Sequence, residues 1–337
     1  MKIVVLGGGI STERHVSLVT ATNVCKALRS IGHKAIFVDM FFGLEDYEGK
    51  LEDAFDVADG FCGNVQIEHE EPDIEAIKAT RKFKSNSHIG KGVLEICSIA
   101  DCVFLGLHGK DGEDGKIQAA LDLLGVPYTG SSALGSAMAM DKVVAKLVMI
   151  QNGIPTPPEA DCAPCVVKVI DGGSSIGVYV CDTQSEYEQA LEQIKKYGSD
   201  ILVEKKINGR ELTVPVLGDK ALSPIEIVPP ESGQFFDYVS KYQSGDEAAA
   251  EICPAQLTDE ETRMLQDLAL RFHRAMKLSV YSRTDFILDE EGKAWCLEVN
   301  TLPGMTPNSL IPKAAKIEGI DYPHLCEKII ELSMNKV

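Results

Sequence analysis

Arg283, Asp285, Glu298 and Asn300 stand at two-residue spacings on two apolar runs, Arg283–Leu288 and Ala294–Asn300, joined by the turn Asp289-Glu290-Glu291-Gly292. Side chains two apart on a strand share a face. If the runs pair, an arginine, two carboxylates and an amide converge on one side of a sheet. Carboxylate and amide oxygens, with no Cys or His among them, are hard ligands suited to Mg²⁺, which binds one or two carboxylates together with substrate phosphates. The same four residues also suit a solvated sheet face, where an arginine among acids is ordinary.

Three glycine-rich loops could meet a ligand. Gly172-Gly173-Ser174-Ser175-Ile176-Gly177 follows Val167-Lys168-Val169. Its backbone N–H groups and hydroxyls can face phosphate oxygens, and Lys168 can add a point charge. No Gly-Lys-Ser/Thr closes it, so it is not a P-loop, and a plain hairpin tip is the alternative. His108-Gly109-Lys110-Asp111-Gly112-Glu113-Asp114-Gly115 follows a strand, where loops line ligand crevices; His108 equally suits a cap on the next helix. Gly7-Gly8-Gly9-Ile10-Ser11-Thr12-Glu13 departs from the dinucleotide fingerprint, because Thr12 replaces the third glycine and only Asp39 closes the second strand. A NAD reading is therefore set aside. What remains is a tight turn, with Glu13 at a helix start placed to bind an ammonium group. Cys162-Ala163-Pro164-Cys165 lacks the second pair that a zinc site needs and predicts two loop cysteines.

These residues need elements to position them. Lys2–Leu6, a helix over Val16–Leu28 and Lys34–Val38 are in βαβ order, which implies a parallel sheet. Asp101–Leu107 is a further buried strand, with a helix from Ile117 to Leu124. Residues 43–95 are polar and poorly periodic, an elaboration of this first unit. After Pro155-Thr156-Pro157-Pro158, strands are predicted at Cys165–Ile170, Gly177–Cys181 and Ile201–Glu204, with helices at Ser185–Tyr197 and Asp259–Met276. Leu265, Leu268, Leu270 and Phe272 mark the apolar side of the last of these, and a final helix begins near Tyr322. The fold class is α/β, α+β in parts. At 337 residues the chain is long enough for two or three domains. Its net charge of −18 disfavours nucleic acid and anionic lipid as partners, so an anionic ligand must meet a local positive pocket. Ten scattered cysteines, no export signal in Met1–Leu6 and no membrane-length apolar run predict a reduced, cytoplasmic protein.

The motifs together resemble the D-alanine–D-alanine ligase family of the ATP-grasp fold: GGGISTERHVSL (7–18), LHGKDGEDGKIQAALDLLGVPYTGSSALGSAMAMDK (107–142), VVKVIDGGSSIGV (166–178), VEKKINGRELTV (203–214), DYVSKY (237–242) and SRTDFILDEEGKAWCLEVNTLPGMTPNSLIP (282–312). The resemblance implies an N-terminal Rossmann-like domain over 1–130, a central ATP-grasp subdomain over 131–204 and a C-terminal one over 205–337. ATP would lie between the last two. It implies Lys142 and Lys168 at the nucleotide phosphates, Glu204, Lys205 and Ile207 around adenine, and Glu211 on the ribose. Asp285, Glu298 and Asn300 would hold two Mg²⁺ or Mn²⁺ ions. Glu13 would take the ammonium of the first D-alanine, near His108, within a hydrogen-bonded set with Ser174 and Tyr242. Lys241 and Ser309 would grip the carboxylate of the second, and Arg283 and the Gly304 N–H would form the oxyanion site. The family is commonly dimeric, and its reaction activates a carboxylate as an acyl phosphate for attack by an amine.

Departures from the family pattern are Val169 for proline, Ser240 for alanine, His15 for an acid, Tyr281 before Ser282-Arg283, and a shorter stretch between Lys142 and Lys168. None removes a residue with an implied role. Tyr242 speaks against a D-lactate-using relative, where histidine occupies that region. D-serine as second substrate stays open, since one hydroxyl discriminates weakly. A non-catalytic ATP-binding paralogue would have lost the metal or oxyanion residues, which are present.

Overall fold

The computed structural model describes residues 1–63, 72–173, 176–198, 200–229 and 249–336. The chain begins with β1 (Lys2–Gly7), α1 (Arg14–Ser30) and β2 (Lys34–Asp39). Next come a 3₁₀ turn at Leu51–Asp56, α2 (Ile74–Thr80), α3 (Val93–Ser98), β3 (Cys102–Leu105), α4 (Lys116–Leu124), α5 (Ala133–Met140) and α6 (Lys142–Gln151). β4 (Cys165–Val169), β5 (Val178–Cys181), α7 (Gln184–Ile194) and β6 (Ile201–Lys205) follow. The rest is β7 (Arg210–Leu217), β8 (Lys220–Ala221), β9 (Ile225–Val228), β10 (Ala250–Ile252), α8 (Asp259–Ala275), β11 (Tyr281–Leu288), β12 (Ala294–Asn300), α9 (Leu310–Ile317) and α10 (Tyr322–Met334).

Three sheets result. The first is parallel, in the order β2-β1-β3, as the βαβ pattern predicts. Ile3 to Leu6 are wholly buried, as expected of a parallel strand covered on both faces. α1 packs against this sheet, and α10 returns from the far end of the chain to pack on α1 and β3. The first core therefore includes Leu325, Ile329 and Ile330. The second sheet is antiparallel, β5-β4-β6, covered by α7. The third is β10-β9-β7-β11-β12, with β8 on β7, and is covered by α8 through Leu265, Leu268 and Phe272. Leu270 is half-buried and packs against the edge of the same core. Thr183 with Glu186, and Thr258 with Glu261, form capping boxes that start α7 and α8.

Two readings need correction. Cys165 is not a loop residue: it opens β4, is buried, and pairs in register with Cys181, while Cys162 is exposed. The helix predicted over Ser185–Tyr197 ends at Ile194 and tightens into a 3₁₀ turn over Lys195–Tyr197. The sequence pattern does not announce α5, α6 and α9. α5 lacks amphipathic contrast, exposing Leu134 while burying Gly135, Ser136 and Ala139, and α6 inverts it, exposing Val143, Leu147 and Ile150 while burying Lys142 and Lys146 beside Ala145 and Met149. β7 is central although Pro215 interrupts it. β9 pairs only with Glu211–Thr213 and β8 only with Val216–Leu217, so Pro215 lies between their pairings, where a missing N–H is tolerated.

Candidate active site

β11 and β12 pair antiparallel, with Arg283 opposite Asn300 and Asp285 opposite Glu298. The four polar residues read from the sequence thus stand side by side. The guanidinium of Arg283 donates through Nε to Asp285 Oδ1 at 3.0 Å and through Nη2 to Oδ2 at 2.9 Å. Thr213 Oγ1 donates to Asp285 Oδ1 at 2.5 Å, and Asn300 Nδ2 to Oδ2 at 3.1 Å. Glu298 is more open, its side chain 36% exposed, with the Lys142 ammonium 3.7 Å away. The donor set fits a divalent cation: it is all oxygen, and the arginine held in a fork by Asp285 shows that this carboxylate accepts positive charge. Asp285, Glu298 and Asn300 are the residues that would hold such an ion.

The lysines come from elsewhere in the chain. Lys142 starts α6; its Nζ donates to the Gly172 carbonyl at 2.6 Å, which brings it from the glycine loop to within reach of Glu298. One turn on, Lys146 also points inward. Glu204 on β6 receives Lys146 Nζ at 2.5 Å and Lys168 Nζ at 2.7 Å. All three are buried, Glu204 at 2% exposure. Burial would raise the pKa of Glu204, but Lys168 and Lys146 together hold it below the usual carboxylate range. Glu204 is thus the counter-ion of the two lysines. Lys205 is exposed at the end of β6; Ile207, just beyond it, and Glu211 on β7 are half-buried. Sequence reasoning misses Lys146, although two lysines four apart in an otherwise apolar helix segment are a visible signal.

The first loop and the two later glycine loops meet at Glu13. Glu13 is the N-cap position of α1, without a side-chain capping bond, and is buried. A Cβ at Gly109 would stand 2.8 Å from Glu13 Oε2, and one at Gly173 2.7 Å from it. Lys110 pairs with Asp171 at 3.0 Å across the same meeting of loops. Asp39, the residue a dinucleotide ribose would have needed, is taken up by Arg14 at 2.5 Å and by the N–H groups of Phe41 and Phe42.

His108 does not cap a helix. Its Nδ1 lies 2.9 Å from the Leu302 carbonyl oxygen and its Nε2 3.0 Å from Thr20 Oγ1. A carbonyl only accepts, so Nδ1 carries the proton and Nε2 accepts from the threonine hydroxyl. Burial, partly opposed by Glu13, holds the imidazole's pKa below its ordinary value. The ring is neutral and close enough to Glu13 to feel its charge. Glu113, to which the sequence assigns no role, is half-buried and meets the same residue, Leu302. Glu113 Oε2 accepts from the Gly109 N–H at 2.8 Å, and Oε1 from the Leu302 N–H at 3.2 Å. Loss of water around the carboxylate, and then the charge of Glu13, push its pKa up to about 8.

Beyond Leu302 the chain turns toward α9. A Cβ on Gly304 would lie 3.1 Å from Ser309 Oγ, so these two expected site residues are neighbours. Ser309 is the N-cap position of α9, and its Oγ accepts from the Thr306 N–H at 3.0 Å. The Tyr322 hydroxyl supports the turn by donating to the Met305 carbonyl at 2.6 Å. Ser174, Lys241 and Tyr242 lie outside the described residues. Among the described residues no group of three or more His, Cys, Asp or Glu side chains is placed to hold a metal by itself. The metal-suited set contains two carboxylates and an amide. Nor, among those residues, is any helix long and apolar enough to cross a membrane.

Residues 2–131 match the family described as D-ala D-ala ligase N-terminus, and residues 156–331 the family described as D-ala D-ala ligase C-terminus. The D-alanine–D-alanine ligase of Pediococcus pentosaceus is 38% identical over 98% of this chain and 97% of its own. That of Nitratidesulfovibrio vulgaris is 39% identical over 99% and 98%. Among solved structures, the Bacillus anthracis D-alanine–D-alanine ligase complexed with ATP superposes with a TM-score of 0.71 at 29% identity, covering 99% of this chain and 97% of that one.

Proposed function

The chain belongs to the D-alanine–D-alanine ligase family, and from that premise we propose that it joins two D-alanines to D-alanyl-D-alanine, forming ADP and phosphate, in the supply of peptidoglycan precursors. The observation that carries the reading is the β11–β12 register, which sets Arg283, Asp285, Glu298 and Asn300 beside Lys142 in a chain matched along its length by ligase relatives.

The chemistry sets the demands. A carboxylate is a poor electrophile, so the first D-alanine is activated by ATP to an acyl phosphate, and the approaching carboxylate and the phosphates repel each other. Lys142 and Lys168 offset that repulsion, with Glu204 anchoring Lys168 from behind. Two Mg²⁺ or Mn²⁺ ions on Asp285, Glu298 and Asn300 would supply Lewis-acid stabilisation of the transferring phosphoryl group. A cation held by Asp285 would compete for the carboxylate that now forks with Arg283, and the guanidinium would then be available to substrate oxygen. Glu204, Lys205 and Ile207 flank the adenine, with Glu211 at the ribose. Glu13 receives the first ammonium, with Ser174 and Tyr242 completing its hydrogen-bonded set. Lys241 and Ser309 hold the second carboxylate. The tetrahedral oxyanion formed by amine attack needs preorganised donors; Arg283 and the Gly304 N–H fill that role. The chain is further proposed to be cytoplasmic, to act as a homodimer, and to divide into domains over 1–130, 131–204 and 205–337.

The test is phosphate release from ATP and Mg²⁺ with D-alanine alone, then with D-alanine plus D-serine or D-lactate, and product identification by mass spectrometry. D-alanyl-D-alanine is expected as the main product. A dominant mixed product, or no phosphate release with any pair, would overturn the assignment.

A further inference from the structure

We propose that His108 and Glu113 are positioning residues that clamp the Leu302 peptide groups from both sides and so aim the Gly304 N–H at the oxyanion; the functional part of this inference rests on the ligase reading above. Glu113 accepts from the Leu302 N–H at 3.2 Å, and His108 Nδ1 donates to the Leu302 carbonyl at 2.9 Å. Leu302 is 1% exposed, so neither backbone group has water as an alternative partner, and each would be costly to leave unmade. Fixing both the N–H and the C=O of one residue fixes two successive peptide planes. Residue 303 is a proline, whose ring sets φ. Between the clamp and the Gly304 N–H only the ψ of Pro303 is then free. Two residues upstream of Leu302 lies Asn300, so the same clamp also anchors the end of β12.

The clamp is itself held in place. The other oxygen of Glu113 binds the Gly109 N–H at 2.8 Å, and the other nitrogen of His108 faces Thr20 on α1 at 3.0 Å. Gly109 in turn crowds Glu13. One short loop therefore ties the pocket of the first ammonium to the turn that carries the oxyanion donor, over a sequence separation of 194 residues between His108 and Leu302. Both ring nitrogens of His108 and both oxygens of Glu113 are engaged within the protein, which suits positioning rather than contact with substrate.

The geometry makes an atom-specific prediction. The amide nitrogen of asparagine can stand in for Nδ1 of histidine, and that of glutamine for Nε2. His108→Asn keeps the bond to the Leu302 carbonyl, whereas His108→Gln loses it, so the Asn variant retains more dipeptide synthesis than the Gln variant. Glu113→Gln turns one acceptor oxygen into an NH₂ that faces an N–H, and dipeptide synthesis falls about 10- to 100-fold with KM for ATP unchanged. Acyl-phosphate formation, read as scrambling of ¹⁸O between the β,γ-bridge and the β-nonbridge positions of ATP in the presence of D-alanine, falls much less. Amide hydrogen exchange at Leu302 and Gly304 speeds up in Glu113→Gln whether or not the protein turns over. Equal losses in the two histidine variants, or equal slowing of scrambling and dipeptide synthesis in Glu113→Gln, would overturn the aiming role. Unchanged exchange at Leu302 and Gly304 would overturn the clamp itself. A wild-type protein that makes no dipeptide, with exchange still accelerated in Glu113→Gln, would refute the ligase reading and leave the clamp standing.

Discussion

Glu298→Gln separates chemistry from stability at this site. The Glu298 side chain is 36% exposed, and its ion pair with Lys142 spans 3.7 Å. A half-open pair of that length contributes about 1 kcal/mol or less, so the melting temperature should move by no more than about 2 °C. In the proposed metal role, by contrast, its charge is central to cation binding between β11 and β12. Removing it takes away stabilisation of several kcal/mol, and kcat should fall about 10²- to 10³-fold. Mn²⁺ affinity, read by titration calorimetry with ATP present but no D-alanine, should fall with it. Glu204→Gln provides the contrast. Glu204 is 2% exposed between Lys146 and Lys168 at 2.5 and 2.7 Å. Replacing it leaves two buried ammonium groups facing a neutral amide, which costs about 3–5 kcal/mol and should lower the melting temperature by about 5 °C or more. The assays are coupled ADP release, calorimetric Mn²⁺ binding and thermal denaturation on the same preparations. Wild-type turnover and wild-type Mn²⁺ affinity in Glu298→Gln would refute the metal assignment, and equal melting losses in the two variants would refute the reasoning from burial.

Three further outcomes follow from named contacts. Burial, reinforced by Arg274, lowers the pKa of His273 to about 4; the unfolded chain therefore takes up a proton first as pH falls below the ordinary histidine value, and stability is lost on acidification. Between pH 7 and pH 5 this residue accounts for about 2 kcal/mol, so His273→Asn should show a shallower loss of melting temperature over that range; an unchanged slope would contradict the shift. Gly109 has φ +69° and a Cβ there would press on Glu13 Oε2 at 2.8 Å, so Gly109→Ala should raise KM for the first D-alanine more than KM for ATP, in steady-state kinetics at saturating ATP and second substrate. Lys241→Ala should chiefly raise KM for the second D-alanine, and an effect confined to ATP would remove Lys241 from the carboxylate grip.

The sequence by itself determined the local parts. Two-residue spacing put Arg283 with Asp285 and Glu298 with Asn300 on common faces, and the turn at Asp289–Gly292 made their strands adjacent; the observed register bears this out. The βαβ order similarly announced the parallel sheet. Strand periodicity is a short-range property, so it survives reading one residue after another. Partner choice does not. Glu204 selects Lys146 and Lys168 across 58 and 36 positions, and Glu113 reaches Leu302 across 189. Nothing in the residue types distinguishes these acids from the exposed ones nearby. α5 and α6 were hidden for a related reason: α5 carries little helical contrast, and α6 inverts it, burying Lys142 and Lys146 while exposing Val143, Leu147 and Ile150. Which carboxylate becomes a counter-ion, which holds a backbone turn and which stays open enough for a cation is decided by burial and distance, and only the packing of the three sheets sets those.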